Sequence, residues 1–205
     1  MNNKPNQHYV WQHYLKSWTC DDQLFCLRNH KKIFQTSTRN VASQRFFYGV
    51  DGLTTTDCEI IRKAFIDKTK GYTKEILSRW MYPIETGISI RDILKSNGHD
   101  DAVDEINVYL KNMIEEVYAE IEQGAIPGLN KLLTKDTSFF LSEDEDDTIG
   151  VDFIAFLCYQ YFRTKRMKES VVQNLGLASS LFSDLGKAFN LIALLLATQD
   201  VYKRQ

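Results

Sequence analysis

The chain has 205 residues, which is long enough to bury a hydrophobic core of its own. Its composition, 43% hydrophobic and 12% aromatic, is that of an ordinary folded protein and excludes a disordered or fibrous chain. A formal net charge of -2 argues against a generally cationic nucleic-acid binder, although it leaves room for a local basic patch.

The cysteines and the apolar runs indicate the cellular location of the protein. Its four cysteines form no C-x-x-C pair and no signal peptide is recognisable, so free thiols in a reducing cytoplasm are the simplest interpretation. The long apolar run Leu191–Ala197 is too short to span a bilayer. We therefore predict a cytoplasmic protein with no membrane-spanning segment.

The first informative stretch runs from His8 to Trp18. If a helix begins near Trp11, bulky residues recur at i, i+3, i+4 and i+7 and form one apolar stripe. The stripe comprises Trp11, Tyr14, Leu15 and Trp18. His8 and Gln12 then lie on a neighbouring face or at the entry to the helix. Two interpretations stay open: a buried anchor whose His and Gln bind the backbone, or a polar pocket.

The next segment predicts a β-hairpin. Two short apolar runs, Leu24–Leu27 and Lys32–Phe34, flank a turn in which Asn29 and His30 tolerate turn geometry. This is the only convincing strand signal in the sequence. Val41–Tyr48 is aromatic-rich, and we predict a short helix or an extended piece packed on the hairpin.

From Thr56 onward the pattern is helical. Thr56–Glu59 fits a capping box at the start of one helix. A second helix, Lys74–Met81, is predicted to stop around Pro83, and a short one follows over Ser89–Lys95.

The clearest helical period covers Asp101–Gln123. Its carboxylates, Glu122 among them, lie mainly away from the apolar stripe and are predicted to form a solvated face. Glu115, Glu116 and Glu120 could be drawn as metal ligands, but no E-x-x-H accompanies them, as a helical di-metal site would lead us to expect. Gly124 should end this helix, and Pro127 should begin another that reaches about Lys135.

An acidic run, Ser142–Asp147, precedes the next helix. Negative charge is favoured at a helix N-terminus by the helix dipole. Calcium binding is the alternative, although the spacing departs from the D-x-D-x-D-G loop.

The helix predicted from Gly150 to about Val172 is apolar on most of its surface and should be central. Gln160 and Arg163 point the same way out of this apolar environment. A buried guanidinium needs an acceptor, which a carboxylate, carbonyl groups or a bound anion can supply. A structural salt bridge and a ligand-binding role are both open. A strongly apolar helix over Ser179–Thr198 follows.

Metal and cofactor chemistry has little support in the sequence. A zinc site can be drawn with the ligands His13, Cys20, Cys26 and His30, but C-x5-C is outside the usual ligand spacing. The sequence also lacks a glycine-rich phosphate loop, G-x-S-x-G and H-E-x-x-H. We predict neither a metal nor a cofactor.

Two segments carry a family resemblance. The chain reads H-Y-V-W-Q-H-Y-L-K-S-W from His8 and Q-Y-F-R-T from Gln160. Both resemble a widespread family, domain of unknown function 4238, whose members commonly begin H-Y-V-P-Q-x-Y-L-R/K-x-F and later carry Q-x-x-R-T. Trp11 stands where many members have proline, which would fix the first helical turn.

The resemblance implies four site residues, although the family has no settled activity. His8 and Gln12 match its opening signature, and Gln160 and Arg163 match its later helix. Gln160 and Arg163 are also the two residues that the helical stripe selects on chemistry alone. We expect the N-terminal motif to pack near Arg163, which would unite both pairs in one pocket.

The last six residues, Asp200–Gln205, match a translation of GAT GTG TAT AAG AGA CAG, the transposase mosaic end used in sequencing libraries. We expect residues 1–199 to form a single domain that lacks its natural C-terminal part, with a non-native tail at 200–205. Members of the family usually continue into a segment like S-D-x-P-V, which is absent here.

The fold predicted is mainly α (α+β), a helical domain with an N-terminal β-hairpin. The favoured function is a hydrolase or nuclease acting on a phosphate-bearing substrate. His8 would be the acid–base or orienting group, Gln12 and Gln160 would position the substrate, and Arg163 would bind its anion. The alternatives are a non-catalytic binding module for an anionic small molecule or nucleic acid, and a purely structural or interaction protein.

Overall fold

The computed structural model describes residues 3–28, 30–141, 144, 148–174 and 181–203. Apart from its first three residues, the chain divides into two compact units, Lys4–Phe47 and Tyr48–Gln205. We call them the N-terminal unit and the helical unit. The protein is mainly α-helical with an N-terminal hairpin, which confirms the predicted fold class. The single domain predicted over residues 1–199 stays a prediction.

The N-terminal unit consists of short elements. In chain order they are β1 (Asn6–His8), α1 (Gln12–Lys16), β2 (Leu24–Arg28), β3 (Lys32–Thr36), a 3-10 turn (Thr38–Asn40) and β4 (Ser43–Arg45). The predicted hairpin is present: β2 and β3 are antiparallel, with Leu27 opposite Ile33. His30 has a φ of 56°, the left-handed conformation that its place in the turn requires.

The structure corrects the prediction of a single strand pair. β1 pairs antiparallel with β4, with His8 opposite Ser43. The extended alternative for Val41–Tyr48 was therefore right, but the strand in it pairs with β1 and not with the hairpin. Three-residue strands are too short to show an alternating pattern of apolar and polar residues, so this strand pair leaves no recognisable pattern in the sequence.

The helix at the N-terminal motif is shorter than the apolar stripe requires. α1 begins at Gln12 and ends at Lys16. Trp11, at its start, is buried, whereas Trp18 lies beyond its end with 66% of its surface exposed. The predicted stripe is therefore not one buried face.

The helical unit contains longer elements. In chain order they are α2 (Thr55–Ile61), a π-helical turn (Arg62–Ile66), α3 (Gly71–Ser96), α4 (Asp100–Leu133), a 3-10 turn (Ser138–Leu141), α5 (Ile149–Phe162), α6 (Lys165–Asn174) and α7 (Leu185–Lys203). α4 packs against α3 and α5, while α7 packs against α3, α5 and α6. The core of the unit lies between α3, α4, α5 and α7.

α7 is more fully enclosed than the helix predicted to be central. Consecutive residues Ala193, Leu194 and Leu195 are all buried, so α7 is covered on several sides. α5 instead buries one side and leaves Leu157 and Tyr161 exposed. Ser179 and Ser180, where the last helix was predicted to begin, lie outside the described residues.

The predicted helix stops at Pro83 and Gly124 are wrong. α3 continues through Pro83, because buried residues on either side of it keep a helical spacing. These residues are Leu77, Met81, Ile84 and Ile88. α4 likewise continues through Gly124 and Pro127. Burial of a continuous apolar face outweighs the roughly 1 kcal/mol that glycine costs and the roughly 3 kcal/mol that proline costs within a helix.

Conversely, the helix predicted from Gly150 to Val172 is broken after Arg163. Thr164 lies between α5 and α6 and caps the start of α6. Its hydroxyl accepts a hydrogen bond from the Met167 amide at 3.3 Å, and its carbonyl accepts one from the Lys168 amide. Threonine is a favoured residue at this position of a helix. The break leaves Arg163 at the end of α5.

The first helix of the unit starts two residues earlier than predicted. The capping box joins Thr54 and Asp57 instead of Thr56 and Glu59. The carboxylate of Asp57 accepts hydrogen bonds from the Thr54 amide and hydroxyl at 2.8 and 2.7 Å. It also accepts hydrogen bonds from the amide and hydroxyl of Ser183, just ahead of α7. Asp57 therefore completes the capping box of α2 and also joins α2 to the segment ahead of α7.

Two further predictions concern the acidic run and the absence of a membrane-spanning helix. The acidic run Ser142–Asp147 falls outside the described residues except for Asp144, so its dipole and calcium interpretations stay predictions. None of the helices in the described ranges combines the length and hydropathy needed to cross a bilayer.

Two glycines of α4 should respond oppositely to alanine. A Cβ at Gly128 would lie 2.9 Å from Cβ of Phe153, so Gly128→Ala should destabilise the protein by about 1–3 kcal/mol through overpacking. At Gly124 the nearest atom, Cβ of Asp152, is 3.7 Å away. Gly124→Ala should therefore stabilise by about 0.5–1 kcal/mol through helix propensity. Urea unfolding measures both, and equal shifts would contradict the packing of α4 on α5.

Asp57 should make stability depend on pH. Burial alone would raise its pKa, but the hydrogen bonds from Ser183 and Thr54 outweigh burial and lower the pKa. The folded state then binds this proton less tightly than the unfolded state, so its contribution is present above pH about 4 and is lost on acidification. Asp57→Asn should reduce stability at pH 7, and its difference from wild type should shrink as the pH falls through the lowered pKa of Asp57.

Urea unfolding across this pH range checks the expectation. Asp67→Asn, at a half-exposed carboxylate 4.0 Å from Lys74, is the control and should change stability by less than about 0.5 kcal/mol. Parallel curves for wild type and Asp57→Asn would show that the carboxylate contributes nothing to acid sensitivity.

Candidate active site

Arg163 lies at the centre of a buried polar cluster. Only 2% of its side-chain surface is exposed. Its Nε and one terminal nitrogen donate hydrogen bonds to Oε1 of Gln160 at 3.1 and 2.8 Å. The same terminal nitrogen donates to the carboxylate of Glu122, and the guanidinium lies over the ring of Tyr118 at 5.0 Å. The acceptor that a buried guanidinium requires is therefore a carboxylate of the same chain.

Helix geometry explains why these four side chains meet. Gln160 precedes Arg163 by three residues, and Tyr118 precedes Glu122 by four, so each pair shares one face of its helix. α4 carries Tyr118 and Glu122, and α5 carries Gln160 and ends at Arg163. The close approach of the two helices at Gly128 brings these faces together.

An aromatic layer surrounds the ion pair. The ring of Tyr118 lies 4.7 Å from that of Tyr48 and 6.2 Å from that of Tyr159. The Tyr159 hydroxyl is 2.7 Å from the Thr198 hydroxyl on α7. Burial raises the pKa of Tyr159 to about 12 and raises the pKa values of Tyr48 and Tyr118 as well. All three tyrosines are neutral at physiological pH, and Glu122 faces Arg163 as the counter-charge.

Glu122 is the member of the cluster with the properties of a proton-transfer group. Burial raises its pKa, and the nearby charge of Arg163 offsets this only in part. Its side chain is 21% exposed, whereas that of Arg163 is 2% exposed, so Glu122 is the more accessible member of the ion pair. A carboxylate with a raised pKa and a fixed orientation is suited to acid–base chemistry.

The other predicted pair lies in the N-terminal unit. Nε2 of His8 is 3.2 Å from the carbonyl oxygen of Thr38. Because a carbonyl oxygen only accepts, this nitrogen carries the hydrogen and donates the hydrogen bond. The side-chain amide of Gln12 donates to the hydroxyl of the same threonine at 3.1 Å. The structure thus brings His8 and Gln12 together on Thr38.

The four predicted site residues therefore form two pairs, one in each compact unit. Gln160 contacts Arg163, and His8 shares Thr38 with Gln12. That the two pairs share one pocket stays a prediction. Within the described residues, no three His, Cys, Asp or Glu side chains are close enough to hold a metal, so the zinc ligands drawn from the sequence are not assembled.

Sequence reasoning missed Glu122 and Tyr118. Glu122 was assigned to a solvated face with the other carboxylates of its helix. One signal was present: Glu122 is four residues from Tyr118 and one from Ile121, at the edge of the apolar stripe. Its partner, 41 residues away along the chain, could not be inferred from the period of one helix.

A separate cavity of about 500 Å³ lies between α5 and α7. It is lined by Leu157, Cys158, Tyr161, Phe162, Leu196, Gln199 and Asp200. None of the predicted site residues is among them. The Cys158 thiol lies 3.5 Å from the Asp200 carboxylate. Most of the surface that lines the cavity is apolar.

A family sequence profile described as "Protein of unknown function (DUF4238)" matches residues 6–181. The chain belongs to this family. The match confirms the resemblance that the opening motif and the Q-x-x-R-T helix predict. It spans His8, Gln12, Glu122, Gln160 and Arg163, so both polar clusters of this DUF4238 protein lie within the family region. Neither a curated protein nor a solved structure matches the chain significantly.

The ion pair should be sensitive to loss of its carboxylate. Glu122→Ala would leave the buried guanidinium of Arg163 without its counter-charge and should destabilise the protein by about 3 kcal/mol. Glu122→Gln keeps an acceptor oxygen and should cost less. Glu120→Ala, at an exposed carboxylate of the same helix, should change stability by less than about 0.5 kcal/mol. Urea unfolding at pH 7 compares the three, and equal effects of the two alanine variants would contradict the pairing.

Proposed function

We propose that this DUF4238 protein is a hydrolase that acts on a phosphate-bearing substrate, with Glu122 as its acid–base residue. The observation that carries the proposal is the arrangement of Glu122: a partly exposed carboxylate of raised pKa, held by a buried arginine that also binds Gln160. Active sites commonly shift the pKa of a catalytic carboxylate in this way.

The arrangement changes the role proposed for Arg163. Its guanidinium is almost fully covered and already donates to Glu122 and Gln160, so a substrate anion would have to displace one of them. Arg163 and Gln160 are therefore assigned as positioning residues that hold Glu122. A catalytic role for His8 and Gln12 remains part of the proposal but does not carry it.

The proposed reaction is hydrolysis of a phosphate ester. The carboxylate of Glu122 takes a proton from a water molecule, and the water oxygen forms a bond to phosphorus. The bond from phosphorus to the leaving oxygen breaks, and that oxygen takes a proton from solvent. Glu122 then returns its proton to solvent and is ready for another cycle.

The charge distribution supports a phosphate-bearing substrate. Residues 4–47 contain seven Lys and Arg against two Asp and no Glu, a formal charge of +5. The remaining residues carry 18 Lys and Arg against 25 Asp and Glu, a formal charge of -7. The field of the basic N-terminal unit attracts anionic ligands to that unit. The four free cysteines are compatible with the cytoplasmic location that we propose.

Hydrolysis of bis(p-nitrophenyl) phosphate and p-nitrophenyl phosphate tests the proposal. Glu122→Gln should lower kcat by about 10²- to 10⁴-fold, because the amide cannot accept the proton. Glu120→Gln should leave kcat unchanged. Since a base acts in its ionised form, the rate should rise with pH through the raised pKa of Glu122, and this limb should be absent from Glu122→Gln.

The outcome also separates the alternatives. No turnover that depends on Glu122 with either ester would overturn the hydrolase proposal. Binding of an anion without product would then support the non-catalytic module, and loss of stability alone would support a structural role.

A further inference from the structure

The N-terminal unit concentrates positive charge on exposed side chains. Lys16, at the end of α1, and Lys31 and Lys32, at the tip of the hairpin, are all exposed, as is Arg39. Within the described residues, none of these four forms an ion pair with a carboxylate. A group of exposed cations that form no ion pairs on a small unit is the electrostatic feature by which nucleic-acid-binding surfaces are recognised.

One face of the hairpin is apolar and open. Strand register places Phe25 and Leu27 on the same side of β2, and Leu27 lies opposite Ile33 on β3. Phe25, Leu27 and Ile33 are 63%, 60% and 70% exposed. The other side of the hairpin includes the buried Leu24, so the hairpin uses one face for packing and presents the other.

Exposed aromatic residues also precede the hairpin in the chain. Trp18 lies two residues before the tight turn in which Cys20 and Gln23 pair, and Phe25 lies two residues after it. The ring of Trp18 is 6.1 Å from that of Tyr14 in an edge-to-face arrangement, and both side chains are exposed. The unit thus combines open aromatic faces with cations along one short stretch of chain.

We propose that the β2–β3 face and the basic hairpin tip form a docking surface for single-stranded nucleic acid. Phe25 stacks on a base. Lys31, in the turn, and Lys32, which the register places on the side opposite Phe25, contact phosphates that pass around the tip. Single-stranded ligands suit this pattern because every base offers a face for stacking while the backbone offers regularly spaced negative charge. The inference rests on the proposed function only in naming its substrate class, since binding at this surface does not require Glu122.

The same residues fit other partners less well. A hairpin that enters a membrane would need an apolar tip, but here the tip carries Lys31 and Lys32 and the apolar residues lie along the flank. A second copy of the N-terminal unit would bring two charges of +5 together. Duplex DNA hides the base faces on which an exposed phenylalanine would stack.

The test is fluorescence anisotropy of labelled oligo(dT) and oligo(rU) of about 20 nucleotides, long enough for one small unit. All proteins carry Glu122→Gln, so cleavage cannot reduce the signal and failure of the hydrolase proposal leaves the binding result intact. Phe25→Ala should weaken binding by about tenfold through loss of stacking. Lys31→Gln with Lys32→Gln should weaken binding and reduce the salt slope by about 1.4.

Matched controls come from the helical unit. Tyr82→Ala removes an aromatic residue that is 68% exposed, and Lys63→Gln with Lys95→Gln removes two exposed cations. None of these should change binding by more than about twofold. Glu122→Gln is common to all the proteins compared, and every side chain substituted on that background is exposed, so differences in folding should not confuse the comparison. Urea unfolding of each variant verifies this.

Three results would overturn the proposal. Equal affinity for a duplex with no effect of Phe25→Ala would show a purely electrostatic contact. Binding to phosphatidylserine vesicles but not to oligonucleotides would show a membrane surface. Self-association that Phe25→Ala abolishes, with no oligonucleotide binding, would show an interface between copies of the chain.

Discussion

The helical unit depends on one buried interaction, the ion pair of Arg163 with Glu122. A guanidinium with almost no contact with water is stable only where its charge and donors are satisfied. Gln160, Glu122 and the ring of Tyr118 satisfy them from two helices, so α4 and α5 must keep their mutual register. The break after Arg163 and the close approach at Gly128 both serve this contact, because they set where α5 ends and how near it lies to α4.

The sequence carried the local features of the fold more fully than its long-range ones. The hairpin follows from two short apolar runs around a turn, and the common direction of Gln160 and Arg163 follows from the helical period of 3.6 residues. Neighbouring residues encode both features. Pro83 and Gly124 misled the prediction because local propensity is weaker than burial of a continuous apolar face. Glu122 could not be separated from the solvated carboxylates of α4, since its partner comes from a different helix. The short β1–β4 pair was not predicted for the same reason, because its register depends on residues more than 30 positions apart in the chain.

The two compact units differ in the kind of chemistry they present. The helical unit holds its charges inward, in the Arg163 cluster and around Asp57, where hydrogen bonds fix them in place. The N-terminal unit holds its charges outward, and its side chains Tyr14, Trp18 and Phe25 are also exposed. Inward charges shift pKa values and orient groups, whereas outward charges of one sign attract ligands over longer distances. A catalytic centre and a docking surface place these opposite demands on a chain, and two units can meet them separately.

The placement of Trp11 and Trp18 in the N-terminal unit has a spectroscopic consequence. The only other tryptophan in the sequence, Trp80, belongs to α3 of the helical unit. The fluorescence of Trp11 and Trp18 therefore reports on the N-terminal unit, and that of Trp80 reports on the helical unit. With Trp80 alone retained, the emission spectrum reports loss of packing around α3, and with Trp80 replaced by phenylalanine it reports the N-terminal unit. Whether the two units unfold in one transition or in two can thus be read from a pair of fluorescence curves.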